Sequence, residues 1–224
     1  MIEFTVLGGY LGSGKTTLLN HLLTHNQGRR FALLINDFGA INIDAELVES
    51  QNESQINLAN GCVCCTLSDG FFEALETLKA LEPPPDHIIV EASGVADVHN
   101  LAQYGHGQGL QLAGIVVLAD AETIRQKAND KYVAQTVRRQ LQAADIIVLN
   151  KTDLCSSEQL AGTARWLAEL APNTPLIQTS RGRVPLSILL SIRPGRRPGG
   201  HLQHQDHEQY TSWSWQASYP ITRH

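Results

Sequence analysis

Gly9-Tyr10-Leu11-Gly12-Ser13-Gly14-Lys15-Thr16 is the stretch that decides the fold. It follows the pattern glycine, four residues, Gly-Lys-Thr. The glycines let the backbone curl until several N–H groups point at one anion. A helix starting near Lys15 adds the positive end of its dipole. In such a loop the backbone of Gly12, Ser13 and Gly14 cradles phosphates. Lys15 reaches the β- and γ-phosphates, and the Thr16 hydroxyl ligates Mg²⁺. The surroundings agree: a short apolar strand, Phe4 to Leu7, precedes the motif, and a helical stretch, Thr16 to Thr24, follows it.

Outward from this loop the chain alternates strand and helix patterns. Phe31 to Ile35 is an apolar run ending in Asn36-Asp37. His87 to Val90 ends at Glu91, Gly114 to Leu118 at Ala119-Asp120, and Ile146 to Leu149 at Asn150. Phe71, Phe72, Leu75, Leu78 and Leu81 recur at helical spacing until Pro83-Pro84-Pro85 stops the pattern. Continuous apolar strands separated by helices predict an α/β P-loop NTPase, a mostly parallel sheet flanked by helices. Ligands in such sheets bind at the carboxyl ends of the strands, where these polar residues fall.

Asn150-Lys151-Thr152-Asp153 reads as the base-selecting turn. A carboxylate at Asp153 can accept from both the N1–H and the exocyclic amine of guanine; adenine offers no such donor pair. The Lys151 stem can pack over the base plane. The alternative is a strand-end turn with polar caps. Glu91-Ala92-Ser93-Gly94 ends another strand. An acid there can hold Mg²⁺, and Gly94 lets a backbone N–H approach the γ-phosphate; the alternative is a solvated acid. Asp37 is a further candidate for Mg²⁺ or for positioning water.

Gly61-Cys62-Val63-Cys64-Cys65 places three thiols within four residues. Thiolates are soft ligands for Zn²⁺ and related ions. A closed structural zinc site takes four protein ligands. Three leave a position open for exchange, which suits a carrier better than a staple. A buried cysteine cluster and a redox pair are the alternatives. Cys155 stands alone after the Asn-Lys-Thr-Asp turn and reads as core.

The 224 residues carry a net charge of -5, with 42% hydrophobic and 17% charged residues. The mild acidity argues against nucleic acid as the main partner. No apolar stretch approaches the roughly 20 residues that cross a bilayer, and Met1 to Val6 lacks the basic start of a leader. The expectation is a cytoplasmic protein without a membrane partner, whose thiols sit in a reducing compartment.

Composition shifts after residue 180. Arg193-Pro194-Gly195-Arg196-Arg197-Pro198-Gly199-Gly200 is followed by His201, His204 and His207. The reading is a nucleotide-binding domain over 1–180, a Pro/Gly/His-rich linker over 181–209, and over 210–224 a strand that either joins the main sheet or begins a second domain that this chain does not complete. Trp213 and Trp215 alternate there with polar residues, as in one strand.

Gly8 to Thr17, Gly61 to Cys65, Glu91 to Gly94 and Asn150 to Asp153, in that order, resemble the CobW family of metal-chaperone GTPases, related to the UreG and HypB proteins. The resemblance covers 1 to about 180 and extends the nucleotide-binding set to Thr17. It implies slow hydrolysis of GTP to GDP, a Mg²⁺-bound nucleotide, and a bound Zn²⁺ or similar transition metal delivered to a client protein. It also implies nucleotide-dependent homodimer formation or client binding. In that reading Lys15, Glu91 and Asp37 act in hydrolysis. Two departures stand out. Asn36-Asp37-Phe38-Gly39 is followed by Ala40 where family members carry Glu, and the resemblance implies that the family's smaller C-terminal domain is truncated here, with 210–224 as its start, or lost. A weakly hydrolysing, GTP-sensing metal adaptor or reservoir is the first rival. A small-molecule kinase is the second, but the Arg-rich lid it would need is not found.

Overall fold

The computed structural model describes residues 1–36, 55–58, 69–190 and 192. The strands are β1 (Ile2–Gly8), β2 (Phe31–Asn36), β3 (Gln55–Leu58), β4 (His87–Glu91), β5 (Leu110–Asp120), β6 (Ile146–Asn150) and β7 (Leu176–Gln178). The helices are α1 (Lys15–Thr24), α2 (Asp69–Lys79), α3 (Val98–Gln103), α4 (Ile124–Lys127), α5 (Ala134–Ala143), α6 (Ser157–Leu170) and α7 (Leu186–Leu190).

The strands form one seven-stranded sheet in the order β3-β2-β4-β1-β5-β6-β7, and every pairing is parallel. The mostly parallel α/β reading therefore holds. Side chains alternate across a strand, and the core divides accordingly. Phe4, Val6, Ala32, Leu34, Ile88, Val90, Val117, Ala119, Ile147 and Leu149 face one side. There they meet Phe71, Leu75 and Leu78 of α2, Leu101 of α3, Val137 and Leu141 of α5, and Leu167 of α6. Leu7, Leu33, Ile35, Ile89, Val116, Leu118, Ile146 and Val148 face the other side, against Leu18, Leu19 and Leu22 of α1. Burial on both faces is what makes these strands read as unbroken apolar runs.

That second face is completed by residues expected to be linker. Val184, Leu186, Leu189 and Ile192 are all buried in it. Core packing thus continues past residue 180, and any linker starts later. Gly114 sits where the β1–β5 register slips, between Phe4 opposite Leu112 and Thr5 opposite Gly114. A Cβ there would overlap Ile192, so a bare glycine lets the end of this segment close on the sheet. Residues 210–224, with their expected strand, lie outside the described residues.

The sheet register sets the site. Leu7 of β1 pairs with Glu91, Gly8 with Val117, and Asp120 with Asn150. The polar residues that end β4, β5 and β6 therefore lie along one edge, beside the loop that follows β1.

Candidate nucleotide site

The loop from Gly9 to Gly14 connects β1 to α1 in conformations that require glycine. Gly9 has φ 134° and Gly14 φ 102°. A Cβ on Gly9 would lie 2.5 Å from the Leu118 carbonyl oxygen, and one on Gly14 would overlap the Asn150 side-chain amide. Gly14 is the N-cap of α1 and supplies no side-chain cap. The first N–H groups of the helix therefore point out of the helix end, as an anion site requires. Ser13 is buried, and its Oγ has no hydrogen-bond partner among the described residues. Thr16 is half-buried and Thr17 exposed at the same helix end.

Lys15 is 7% exposed. Its Nζ donates to the Gly9 carbonyl at 3.1 Å and stands 3.9 Å from Oε1 of Glu91. The P-loop lysine and the β4 acid, picked independently from the sequence, are thus neighbours. Gly94, three residues on, lies against the P-loop tip: a Cβ on it would be 2.8 Å from the Leu11 amide nitrogen. The loop between is short and tied. The Ala92 amide donates to the Leu7 carbonyl at 2.9 Å, and the Asp97 carboxylate caps α3 by accepting from the amides of His99 and Asn100.

The Asn150–Asp153 turn closes the other side. Asn150 is buried, and both ends of its amide are engaged with protein. Its Nδ2 donates to the Ser13 carbonyl at 3.0 Å, and its Oδ1 accepts from the Gly182 amide at 3.0 Å. It is a strut between the P-loop and the turn after β7. Lys151 adopts a left-handed backbone, φ 61°, and its Nζ bonds Asp120 Oδ2 at 2.8 Å. This anchors the head of the lysine and lays out its stem. Asp153 sits in the exposed turn Thr152–Leu154. Cys155 is half-buried against the core. Burial, helped by Glu122, Asp120 and Asp153, pushes its thiol up, so it stays a protonated packing residue.

Asp37, Cys62, Cys64 and Cys65, and His201, His204 and His207 lie outside the described residues.

Three contributors carry no role in the motif reading. Asp120 was visible as a polar strand end but carried no role until paired with Lys151. Thr179 accepts through its carbonyl from both the amide and the hydroxyl of Thr152, at 3.2 and 3.0 Å. Gly182 donates to Asn150, and with φ 63° a Cβ on it would lie 2.9 Å from the backbone of Leu18. The available signal was local: a short apolar stretch, Leu176-Ile177, followed by a polar turn containing glycine.

Comparison with known proteins agrees with this geometry. Residues 3–178 match the family described as CobW/HypB/UreG, nucleotide-binding domain. The chain is 32% identical to a protein of Pseudomonas aeruginosa named zinc chaperone CobW, over 92% of this chain and 64% of that one. It is 31% identical to the Escherichia coli protein named zinc chaperone YjiA, over 85% of this chain and 61% of that one. The chain thus spans a little under two thirds of these relatives' length. Among solved structures, Zn(II)-bound YjiA GTPase from E. coli superposes with a TM-score of 0.63 at 24% identity, covering 85% of this chain and 61% of that one. HypB from Helicobacter pylori in complex with nickel gives 0.56 at 20% identity, covering 81% and 80%. On the match over residues 3–178, the chain belongs to the CobW/HypB/UreG family of nucleotide-binding domains.

Proposed function

We propose that this chain is a Mg²⁺-dependent GTPase that carries zinc, or a similar transition metal, on Cys62, Cys64 and Cys65 and delivers it to a client protein. The observation that carries the nucleotide half is the meeting of Lys15, Glu91 and Gly94 beside one P-loop, with the Asn150–Asp153 turn bonded to the same loop. The metal half rests on the thiol spacing and on the names of the relatives, several of which are called zinc chaperones.

In this reading the backbone amides from Gly12 to Thr16 bind the β-phosphate, and Lys15 Nζ leaves the Gly9 carbonyl for the β- and γ-oxygens. Asp153 accepts from the two donors of guanine while the Lys151 stem, held by Asp120, covers the ring. Thr16 and Glu91 offer hard oxygen donors, a set that fits Mg²⁺, with Asp37 as a third. Bound there, Mg²⁺ neutralises part of the charge on the phosphate oxygens. Gly94 presents its amide to the γ-phosphate. The segment holding the three cysteines lies in sequence between Asp37 and Glu91, so GTP binding can reorder it from both ends. Hydrolysis is slow, and the complex self-associates or docks on its client in the GTP state.

The test is a competition titration of the full chain with a chromophoric zinc chelator. It is run without nucleotide, with GDP and with a non-hydrolysable GTP analogue. A useful coupling shifts zinc affinity by about 5–150-fold between states. Equal affinity in all three removes the coupling. Undiminished affinity after changing all three cysteines to Ser moves the metal elsewhere, first to His201, His204 and His207.

A further inference from the structure

Gln140 belongs to none of the motifs, yet it grips the loop that carries Gly94. It lies on α5 and is 3% exposed. Its Nε2 donates to the Gly94 carbonyl at 3.2 Å and to the Ala96 carbonyl at 2.9 Å. A primary amide nitrogen has two hydrogens, and these two carbonyls take both. The ends of the loop are fixed by backbone at Ala92 and by the Asp97 cap. Among the described residues, no other side chain from outside the loop is hydrogen-bonded to its middle.

The place of this grip matters. Holding the carbonyls of Gly94 and Ala96 fixes the peptide after Gly94, the residue in the loop with the widest choice of backbone angles. Gly94 is also the point that touches Leu11 at the P-loop tip. The same helical unit reaches the P-loop directly, since Lys127 of α4 stands 5.5 Å over the ring of Tyr10. Arg138 of α5 donates to the Ala128 carbonyl at 2.7 Å and to Asn129 Oδ1 at 2.9 Å, which ties α4 to α5.

We propose that Gln140 is a positioning residue that sets the Gly94 amide for the γ-phosphate, and thereby sets how strongly the site prefers GTP over GDP. The proposal rests on the reading of Gly94 as the γ-phosphate contact. GDP lacks that phosphate, so its affinity is independent of Gln140. The side chain touches no reacting atom; it acts through the loop.

The experiment compares the full chain with Gln140→Leu and Gln140→Met, two apolar side chains of similar volume that cannot donate. Affinities for GDP and for a non-hydrolysable GTP analogue are measured by calorimetry, with kcat and KM for GTP alongside. The expected result is GDP affinity within about twofold of wild type and a loss of about tenfold for the analogue, the size of one hydrogen-bonded position, with a matching fall in kcat. Gln140→Met, the more flexible of the two, carries the comparison if Gln140→Leu does not melt cooperatively. Gln140→Glu supplies an independent readout: its analogue-to-GDP ratio, normalised to wild type, recovers on acidification as the carboxyl regains a donor. An unchanged ratio, or equal losses for both nucleotides, overturns the proposal and leaves Gln140 a structural residue. A wild type that does not distinguish the analogue from GDP overturns the Gly94 reading itself.

Discussion

On one side of the P-loop, the turn from Asn150 to Leu154 is bonded to three other segments. Asn150 reaches Ser13 and Gly182, Lys151 reaches Asp120, and Thr152 bonds the Thr179 carbonyl twice. On the other side, the middle of the loop from Ala92 to Asp97 is hydrogen-bonded from outside only by Gln140, among the described residues. Both regions end strands of the same parallel sheet, β6 and β4, which flank the β1–β5 pair, and both face the same loop. The first is cross-braced, so moving it breaks several hydrogen bonds at once. The second can move by breaking two. Local opening follows such differences in the number of bonds lost. A rigid base-side turn beside a lightly held phosphate-side loop is what a protein needs if nucleotide identity is to be read at one end and phosphate number at the other.

The harshest way to break this comparison is to remove the lysine of the loop that both sides face. Lys15→Ala removes two charge-assisted hydrogen bonds to phosphate, at about 1.5–3 kcal/mol each. Triphosphate affinity should fall about 10²–10⁴-fold by calorimetry. Glu91 is 3% exposed and loses its neighbouring cation in this variant, so Lys15→Ala with Glu91→Gln is the companion that keeps the fold stable. Retained micromolar affinity in the double variant removes the P-loop assignment.

A smaller effect sharpens the base side. Asp153→Asn should weaken GTP by about 2–4 kcal/mol, two strained or lost hydrogen bonds, and improve xanthosine triphosphate, whose base offers an acceptor where guanine has its amine. Wild type that binds ATP as well as GTP defeats the assignment before any variant is made.

Next in size is the brace itself. Asn150→Ala leaves the Ser13 carbonyl and the Gly182 amide without their buried partner, a cost of about 1–3 kcal/mol in folding stability. Because the brace holds the P-loop and the base-side turn together, GDP and the GTP analogue should lose affinity equally. That contrasts with Gln140→Leu, where the analogue alone suffers. A selective loss in Asn150→Ala would mean that the two regions are not separable.

The residues named in these tests differ in how far the sequence reveals them. Lys15 is legible from the spacing of the glycine-rich motif around it; Glu91, Gly94 and the Asn150–Asp153 turn are legible because each lies at or just past the end of an unbroken apolar strand, and the parallel sheet puts all such ends on one edge. Gln140 and Gly182 are not, because their roles come from contacts 46 and 32 residues away in the chain. A lone Gln in a helix and a Gly in a turn look alike whether or not they hold anything. The packing of α7 was hidden by its neighbours: Leu186 to Leu190 is five residues long, too short to show a helical period, and an Arg/Pro/Gly-rich run follows it. The reverse holds for Cys62, Cys64 and Cys65: they lie outside the described residues, and their proposed role as metal ligands rests on their spacing in the sequence.

The smallest expected effect lies at the opposite edge of the sheet, where β1 and β4 begin. His87 is 2% exposed and bridges the two strands. Its Nδ1 lies 3.1 Å from Glu3 Oε2 and its Nε2 2.8 Å from Thr5 Oγ1. These partners select the neutral tautomer in which Nδ1–H donates to Glu3 and Nε2 accepts from the Thr5 hydroxyl. Burial holds the ring below its ordinary pKa of 6.5, Arg29 adds to this, and Glu3 only partly offsets it. A depressed histidine pKa means that the unfolded chain binds more protons than the folded one just below 6.5. Stability from this group is therefore complete above that pH and is lost as pH falls from about 6.5 toward the folded-state value. Thermal melting at pH 7.5 and 5.5 should show a drop for wild type that is smaller in His87→Gln, which cannot titrate. Equal drops in both proteins would assign the acid sensitivity to other groups, such as His21. The strut lies at the far end of β1 and β4 from Gly8 and Glu91, so the analogue-to-GDP affinity ratio of His87→Gln should match wild type at pH 7.5. A change in that ratio would show that the two sheet edges are coupled and that the phosphate-side loop is positioned from below as well as by Gln140.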